Sequence, residues 1–287
     1  MNRRPTTNRV GLARRHAAAR VSAARAMQAT AATAATAATS GTLPRQHGEH
    51  NRAQRTTLAA AAPMAASMAL ALVACLAGAS TLHADEAVAD WPLVFRDDFA
   101  RGAEHWLPSD SAAWRIEVAD ERTVYSQFAP SQYKPPHRSP LNYSLVRDVV
   151  VSDFAIDVDV RSTCRDYPHR DLCLFFGYQG PAHFYYVHLG KRMDDHANQI
   201  FIVNDAPRVK ISERTTEGTP WDDEWHHVRI VRRVEAGTIA VYFDDLETPV
   251  MTATDRTFTW GQVGLGSFDD TGHFADFELR GVRVERP

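Results

Sequence analysis

Hydrophobic and polar positions alternate with a period of two through most of the chain beyond residue 90. Phe154, Ile156, Val158 and Val160 alternate with Ala155, Asp157 and Asp159. On an extended strand, two such sets point to opposite faces. Leu172, Leu174, Phe176 and Tyr178 alternate in the same way with Cys173, Phe175 and Gly177. Tyr185, Val187 and Leu189 alternate with Phe184, Tyr186 and His188, and the more apolar first set is expected to face a core. Ile200 to Val203 is apolar throughout, which predicts a strand covered on both sides. Val228 and Ile230, a turn at Glu235-Ala236-Gly237, and then Ile239, Val241 and Phe243 predict a hairpin. Phe277 and Leu279 change register to Val282 and Val284 across Gly281, which predicts a bulge.

Short strands joined by polar turns, with no long helical period, predict an all-β antiparallel sandwich. The length suits one large jelly roll over residues 91–287 better than two small sandwiches. Val94–Phe99 resembles the opening strand of a jelly roll, and that resemblance implies pairing with the closing strand at Phe274–Val284.

The first 84 residues have a different character: ten Arg, no Lys and one acid, Glu49. Residues 1–57 include the low-complexity run Ala29–Thr39 and read as a disordered basic extension, with nothing to bury a core. Residues 58–84 form an Ala-rich apolar segment behind Arg52 and Arg55, with small residues before Ala84. This is the pattern of a signal-like helix that is cleaved on export. Two alternatives stay open. The segment is long enough to serve as an uncleaved anchor, and Leu72-Val73-Ala74-Cys75 resembles a lipobox with Cys75 as the lipidated residue. The expected location is periplasmic, cell-surface or secreted, with membrane contact only through this segment.

Residues 85–287 keep 22 of the 32 basic and 34 of the 35 acidic side chains, a net of −12. So acidic a domain is a poor partner for nucleic acid or an anionic membrane. The Arg-rich start lacks the aromatic interleaving of a nucleic-acid binder. Cys164 and Cys173 flank the polar turn TCRDYPHRDLC. In an oxidising compartment they either bridge neighbouring strands or stay as two small buried thiols.

Six segments carry a family resemblance: FRDDF near the start, HRSPLN at His137–Asn142, HRDLCLFFGYQ at His169–Gln179, HFYYVHLG at His183–Gly190, DDHANQIF at Asp194–Phe201 and GLGSFDDTG at Gly264–Gly272. Over about Trp91 to Val284 the chain resembles the concanavalin-A-like lectin/glucanase superfamily. Within it, the chain is similar to exported bacterial proteins of the laminin-G-like and 3-keto-disaccharide hydrolase-like kind. The resemblance implies a jelly roll that handles sugars. It does not extend to the Glu-x-Asp-x-x-Glu run of laminarinase-type glycosidases, whose two carboxylates flank the sugar. The nearest run, Asp157-Val158-Asp159, lacks the Glu and reads as an exposed face.

The stretch His183–Phe201 is the first candidate site. Tyr186 and His188 are expected on an outer, concave face, with Asp194, His196 and Asn198 in the loop that follows. A flat ring beside carboxylate, imidazole and amide groups suits a pyranose. Arg138 in His137–Pro140 and the group His169-Arg170-Asp171 sit ahead of apolar strands, at sheet ends where loops bind ligands. Arg138 is suited to a carboxylate or sugar acid. Asp269 and Asp270 in the tight loop Ser267–Gly272 suit Ca²⁺, although Asp-rich turns also form for backbone reasons. No cofactor is required, and Ca²⁺ is the candidate ion; His188, Asp194 and His196 lack a recognised Zn²⁺ spacing.

Three functions follow. The first is an exported lectin-like domain that binds oligo- or polysaccharide through Arg138, Tyr186, His188, Asp194, His196 and Asn198. The second is a glycoside-active hydrolase with His188 or Asp194 as general base. The third is an adhesive module dependent on Ca²⁺.

Overall fold

The structure, a computed structural model, describes Val88 and residues 90–287. The expectations for the basic extension, the signal-like segment and Cys75 lie outside the described residues.

In chain order the strands are β1 (Leu93–Asp97), β2 (Trp106–Pro108), β3 (Trp114–Ala119), β4 (Arg122–Gln127), β5 (Asn142–Val146), β6 (Val151–Ser162), β7 (Asp171–Gly180) and β8 (His183–Gly190). They continue with β9 (Gln199–Asn204), β10 (Val209–Lys210), β11 (Ser212–Thr215), β12 (His226–Arg233), β13 (Thr238–Phe243), β14 (Met251–Thr254), β15 (Gln262–Ser267) and β16 (Gly272–Arg283). Nine strands form one sheet in the order β11-β14-β13-β12-β6-β16-β4-β3, with β1 also on β16. Seven form the other, in the order β10-β9-β8-β7-β15-β5-β2. All the pairings are antiparallel. This is the two-sheet jelly roll expected from the alternation. Among the described residues no helix is long and apolar enough to cross a membrane.

The expected pairings are present. β1 runs along β16, with Leu93 opposite Arg280 and Asp97 opposite Phe277. β12 and β13 form the hairpin, closing at Arg233 opposite Thr238. The register of β16 against β6 shifts between Gly281 and Arg283, at the expected bulge, and again between Ala275 and Glu278.

The main core lies between the sheets. Phe154, Ile156, Val158 and Val160 of β6 meet Leu172, Leu174 and Phe176 of β7 and Tyr185, Val187 and Leu189 of β8 there. Burying each such side chain contributes about 1.5–3 kcal/mol. A second apolar cluster covers the opposite face of the seven-stranded sheet: Tyr143, Leu145, Cys173, Phe175, Phe184, Tyr186, Phe201 and Val203. The central strands of this sheet are thus apolar on both faces. Gly177 and Gly261 allow two of these strands to touch; a Cβ on Gly261 would lie 2.2 Å from the Gly177 carbonyl carbon.

The outer face of the nine-stranded sheet is a charge ladder. His227 stands opposite Asp159 across β12 and β6, and its two ring nitrogens meet Asp159 and Asp157, each at 2.9 Å. Arg122 reaches Asp159 at 2.6 Å and lies 4.5 Å over the Trp225 ring. The Asp157–Asp159 run therefore does face outward, but it is tied into pairs rather than simply solvated.

The hydrogen bonds from His227 to Asp157 and Asp159 raise the imidazole from its ordinary 6.5 to about 9. A folded-state value above the unfolded one stabilises fully below the unfolded value and is lost as pH rises through the folded one. Urea unfolding should therefore show stability falling between pH 6.5 and about 9, a slope that His227→Gln removes.

Candidate functional site

The loop between β8 and β9 is built around Asn198. Its φ of 53° lies in the left-handed region, which Asn tolerates better than most residues. Its buried side chain donates to Thr215 Oγ1 and the Thr216 carbonyl, both at 3.0 Å, and accepts from Thr219 Oγ1 at 2.9 Å. Asn198 is therefore a staple of the loop and not a ligand-binding residue. Its backbone N–H donates to His188 Nδ1 at 3.3 Å. Gly190 permits that approach, since a Cβ there would lie 2.9 Å from the Asn198 nitrogen and 3.2 Å from His188 Nδ1.

With Nδ1 accepting, the neutral ring carries its proton on Nε2. Nε2 faces Asp171 Oδ2 at 3.4 Å. Burial, and then the charges of Arg208 and His169, push the imidazole down to about 3. His188 is thus held neutral with its lone pair already engaged, so it is not available as the general base expected of it. The same tautomer keeps Nε2 from ligating a metal, although Asp171, Cys173 and His188 lie close enough together to suggest one.

Asp171, at the start of β7, and Asp270, in the loop after β15, form a reciprocal latch. Asp171 N–H donates to Asp270 Oδ2 at 2.8 Å, and Phe268 N–H donates back to Asp171 Oδ2 at 2.9 Å. Asp270 Oδ1 also accepts from Tyr167 Oη at 2.8 Å and Cys164 Sγ at 3.0 Å. Burial, and then the charge of Asp270, raise Asp171 well above the ordinary carboxylate range. Its Oδ1 is buried with no partner. Cys173 Sγ donates to Asp171 Oδ2 at 3.3 Å. The two cysteines are free thiols directed at different carboxylates, so the disulfide alternative is not the one realised. Of the two residues expected to hold Ca²⁺, Asp270 is buried within the latch and Asp269 is exposed beside it. One carboxylate oxygen each from Asp171, Asp269 and Asp270 lie within 4.8 Å of one another.

Above the latch a cavity of about 260 Å³ opens, lined by Arg138, Tyr167, His169, His188, His196, Arg208, Phe268 and Asp269. Separate connections bring these side chains together, and backbone bonds tie them: Arg208 N–H to the Arg138 carbonyl at 3.1 Å, Leu141 N–H to the Phe268 carbonyl at 2.9 Å. The Arg208 guanidinium sits 4.6 Å from the Phe201 ring centre and 4.3 Å from that of Phe268. One of its N–H groups donates to Tyr186 Oη at 2.7 Å. Arg138 lies 5.8 Å from the Phe268 ring centre. Burial and the neighbouring Asp270 raise the Asp269 carboxyl, while the charges of His169 and Arg208 oppose the rise.

Of the residues expected to bind ligand, Arg138, His188 and His196 line this cavity. Tyr186 does not. It is fully buried, stacked 5.1 Å from Phe201 and 5.9 Å from Phe175, and acts beneath the floor through Arg208. The outward direction of its strand face is as expected, but a second aromatic layer closes that face over Tyr186. Asp194 caps its own turn, accepting from His196 N–H at 2.6 Å, and stands 3.6 Å from His169 Nε2 outside the cavity lining. Arg170 turns inward to Ser162, the Asp222 carbonyl and Asp223, and is structural. Tyr167, Arg208 and Phe268 complete the cavity, and no local pattern in the sequence marks Arg208.

No family model matches the chain, and no curated protein matches it. Solved structures do. The carbohydrate binding module CBM66 from Bacillus subtilis is similar at 18% identity and a TM-score of 0.44, over 62% of this chain and 96% of that one. The metal-free form of lectin I-B4 from Griffonia simplicifolia is similar at 11% identity and a TM-score of 0.43, over 64% and 97%. Cellulose induced protein Cip1 is similar at 11% identity and a TM-score of 0.45, over 67% and 100%.

Nitrogen NMR of labelled His188 should show a neutral ring with the proton on Nε2 throughout about pH 5–8. A ring that titrates within that range would contradict the Asn198–His188–Asp171 arrangement.

Proposed function

We propose that this domain is a carbohydrate-binding module whose glycan site is the cavity at Arg138, His169, His196, Arg208, Phe268 and Asp269. What carries the reading is the mixture gathered there: two aromatic rings, two guanidiniums, imidazoles and a carboxylate around an open space. A ring covers apolar C–H faces, and planar polar groups match hydroxyls. The volume of about 260 Å³ lies just under the range for drug-sized ligands, so the cavity suits one sugar unit with the rest of a chain outside. Binding is favoured over hydrolysis because Asp269 is the only carboxylate in the lining, whereas glycosidase chemistry uses two. The signal-like residues 58–84 support a place for the domain outside the cytoplasm.

Glycan-array screening followed by calorimetry tests the reading. Phe268→Ala and His196→Ala should each weaken the best ligand by roughly tenfold or more, with the melting temperature little changed. Wild-type affinity in both variants would remove the cavity from the function.

Ca²⁺ belongs to the same proposal as a second occupant. The buried, partnerless Asp171 Oδ1 and the exposed Asp269 offer the hard oxygen donors such an ion takes. Ca²⁺ in excess should raise the melting temperature of the wild type and not of Asp269→Asn. An equal response, or none, in the two proteins argues against an ion at this place.

A further inference from the structure

The described domain is acidic, and several of its arginines are matched with carboxylates. Arg96 pairs with Glu278, Arg115 with Glu117, Arg122 with Asp159 and Asp276, Arg161 with Asp120, and Arg170 with Asp223. Arg138 and Arg208, which both line the cavity, are not so matched. Among the described residues neither forms an ion pair, although Asp269 lines the same cavity. Arg138 makes no side-chain hydrogen bond there either, and Arg208 makes one, to Tyr186 Oη.

The Arg208 guanidinium is also held in orientation. Phe201 and Phe268 cover its faces, so its N–H groups are left to bond in their own plane. The Tyr186 hydroxyl fixes one edge of that plane. A planar fork presented this way matches a carboxylate bidentately, with short charge-assisted bonds. Stacked rings already limit the water that can solvate the cation, so an anion there replaces little. Asp269 adds direction: it repels an anion placed beside it and accepts from neutral hydroxyls.

We infer that the cavity selects saccharides bearing a carboxylate, with the uronate group on Arg208 and Arg138 and ring hydroxyls toward Asp269. This rests on the carbohydrate-binding reading and names its ligand class.

Calorimetry on the full domain tests it with a panel of glucuronate, galacturonate and mannuronate trisaccharides. Each is paired with its carboxyl-reduced neutral form and with a sulfated neutral form. The expected result is at least one uronate bound ten times or more tighter than its reduced partner, with the difference shrinking as salt is added. Arg138→Gln and Arg208→Gln should each cut uronate affinity by tenfold or more, and Tyr186→Phe by less, at unchanged melting temperature. Equal binding of uronate and reduced forms overturns the inference and leaves the carbohydrate reading standing. So does a uronate preference that survives in the double Arg variant. Sulfated forms bound as tightly as uronates overturn the carboxylate assignment in favour of charge alone. No binding by any member, while the array also stays blank, removes both readings together.

Discussion

Two buried carboxyl groups clasp the beginning of β7 to the loop that follows β15. Each receives a main-chain N–H from the other's segment, at 2.8 and 2.9 Å. Hydrogen bonds to carboxyl oxygens in a dry setting are stronger than neutral ones, and leaving either group unpaired is costly. The clasp decides where Phe268 and Asp269 stand. Phe268 in turn stacks on Arg208, and the Arg208 main chain holds Arg138. Removing the clasp would scatter the cavity while leaving both sheets paired.

The same clasp resolves a conflict between charge and burial. Asp171 is deeply buried beside the charge of Asp270. Asp270 has three donors and Asp171 has its second oxygen empty. Burial and the charge of its neighbour both push the Asp171 carboxyl above the ordinary range. His188 beside it is pushed down by burial and by the charges of Arg208 and His169, and a backbone N–H occupies its Nδ1. A pair that looks like an acid–base couple is thus part of the scaffold beneath the cavity.

Much of the fold was legible in the sequence. Period-two alternation placed Tyr185, Val187 and Leu189 in the core, and turn and glycine positions marked the β12–β13 hairpin and the Gly281 bulge. The meeting of the first and last strands was also anticipated. The site was legible only in part. Alternation tells which residues share a face; it does not tell whether that face is covered. Tyr186 is enclosed by Phe175 and Phe201 from neighbouring strands, and such enclosure depends on strand order. Asn198 reads as a polar loop residue until its left-handed backbone turns the side chain inward. Arg138 and His196 were visible because they occupy strand-end loops. Arg208 was not, because what sets it apart is its place between the Phe201 and Phe268 rings at the cavity, which only strand order and loop packing create.

Phe268 divides its two roles between different atoms. Its N–H secures the loop through Asp171, and its ring lies beside the guanidiniums of Arg138 and Arg208 and edge-on to His188. Position 268 can therefore exchange one side chain for another without unfastening the scaffold. Paralogues of this domain would diversify their sugar preferences first at this residue and at Arg138, whose main-chain carbonyl likewise serves as the anchor. For an engineer, those two codons are a small library in which altered taste and retained fold are expected to separate cleanly.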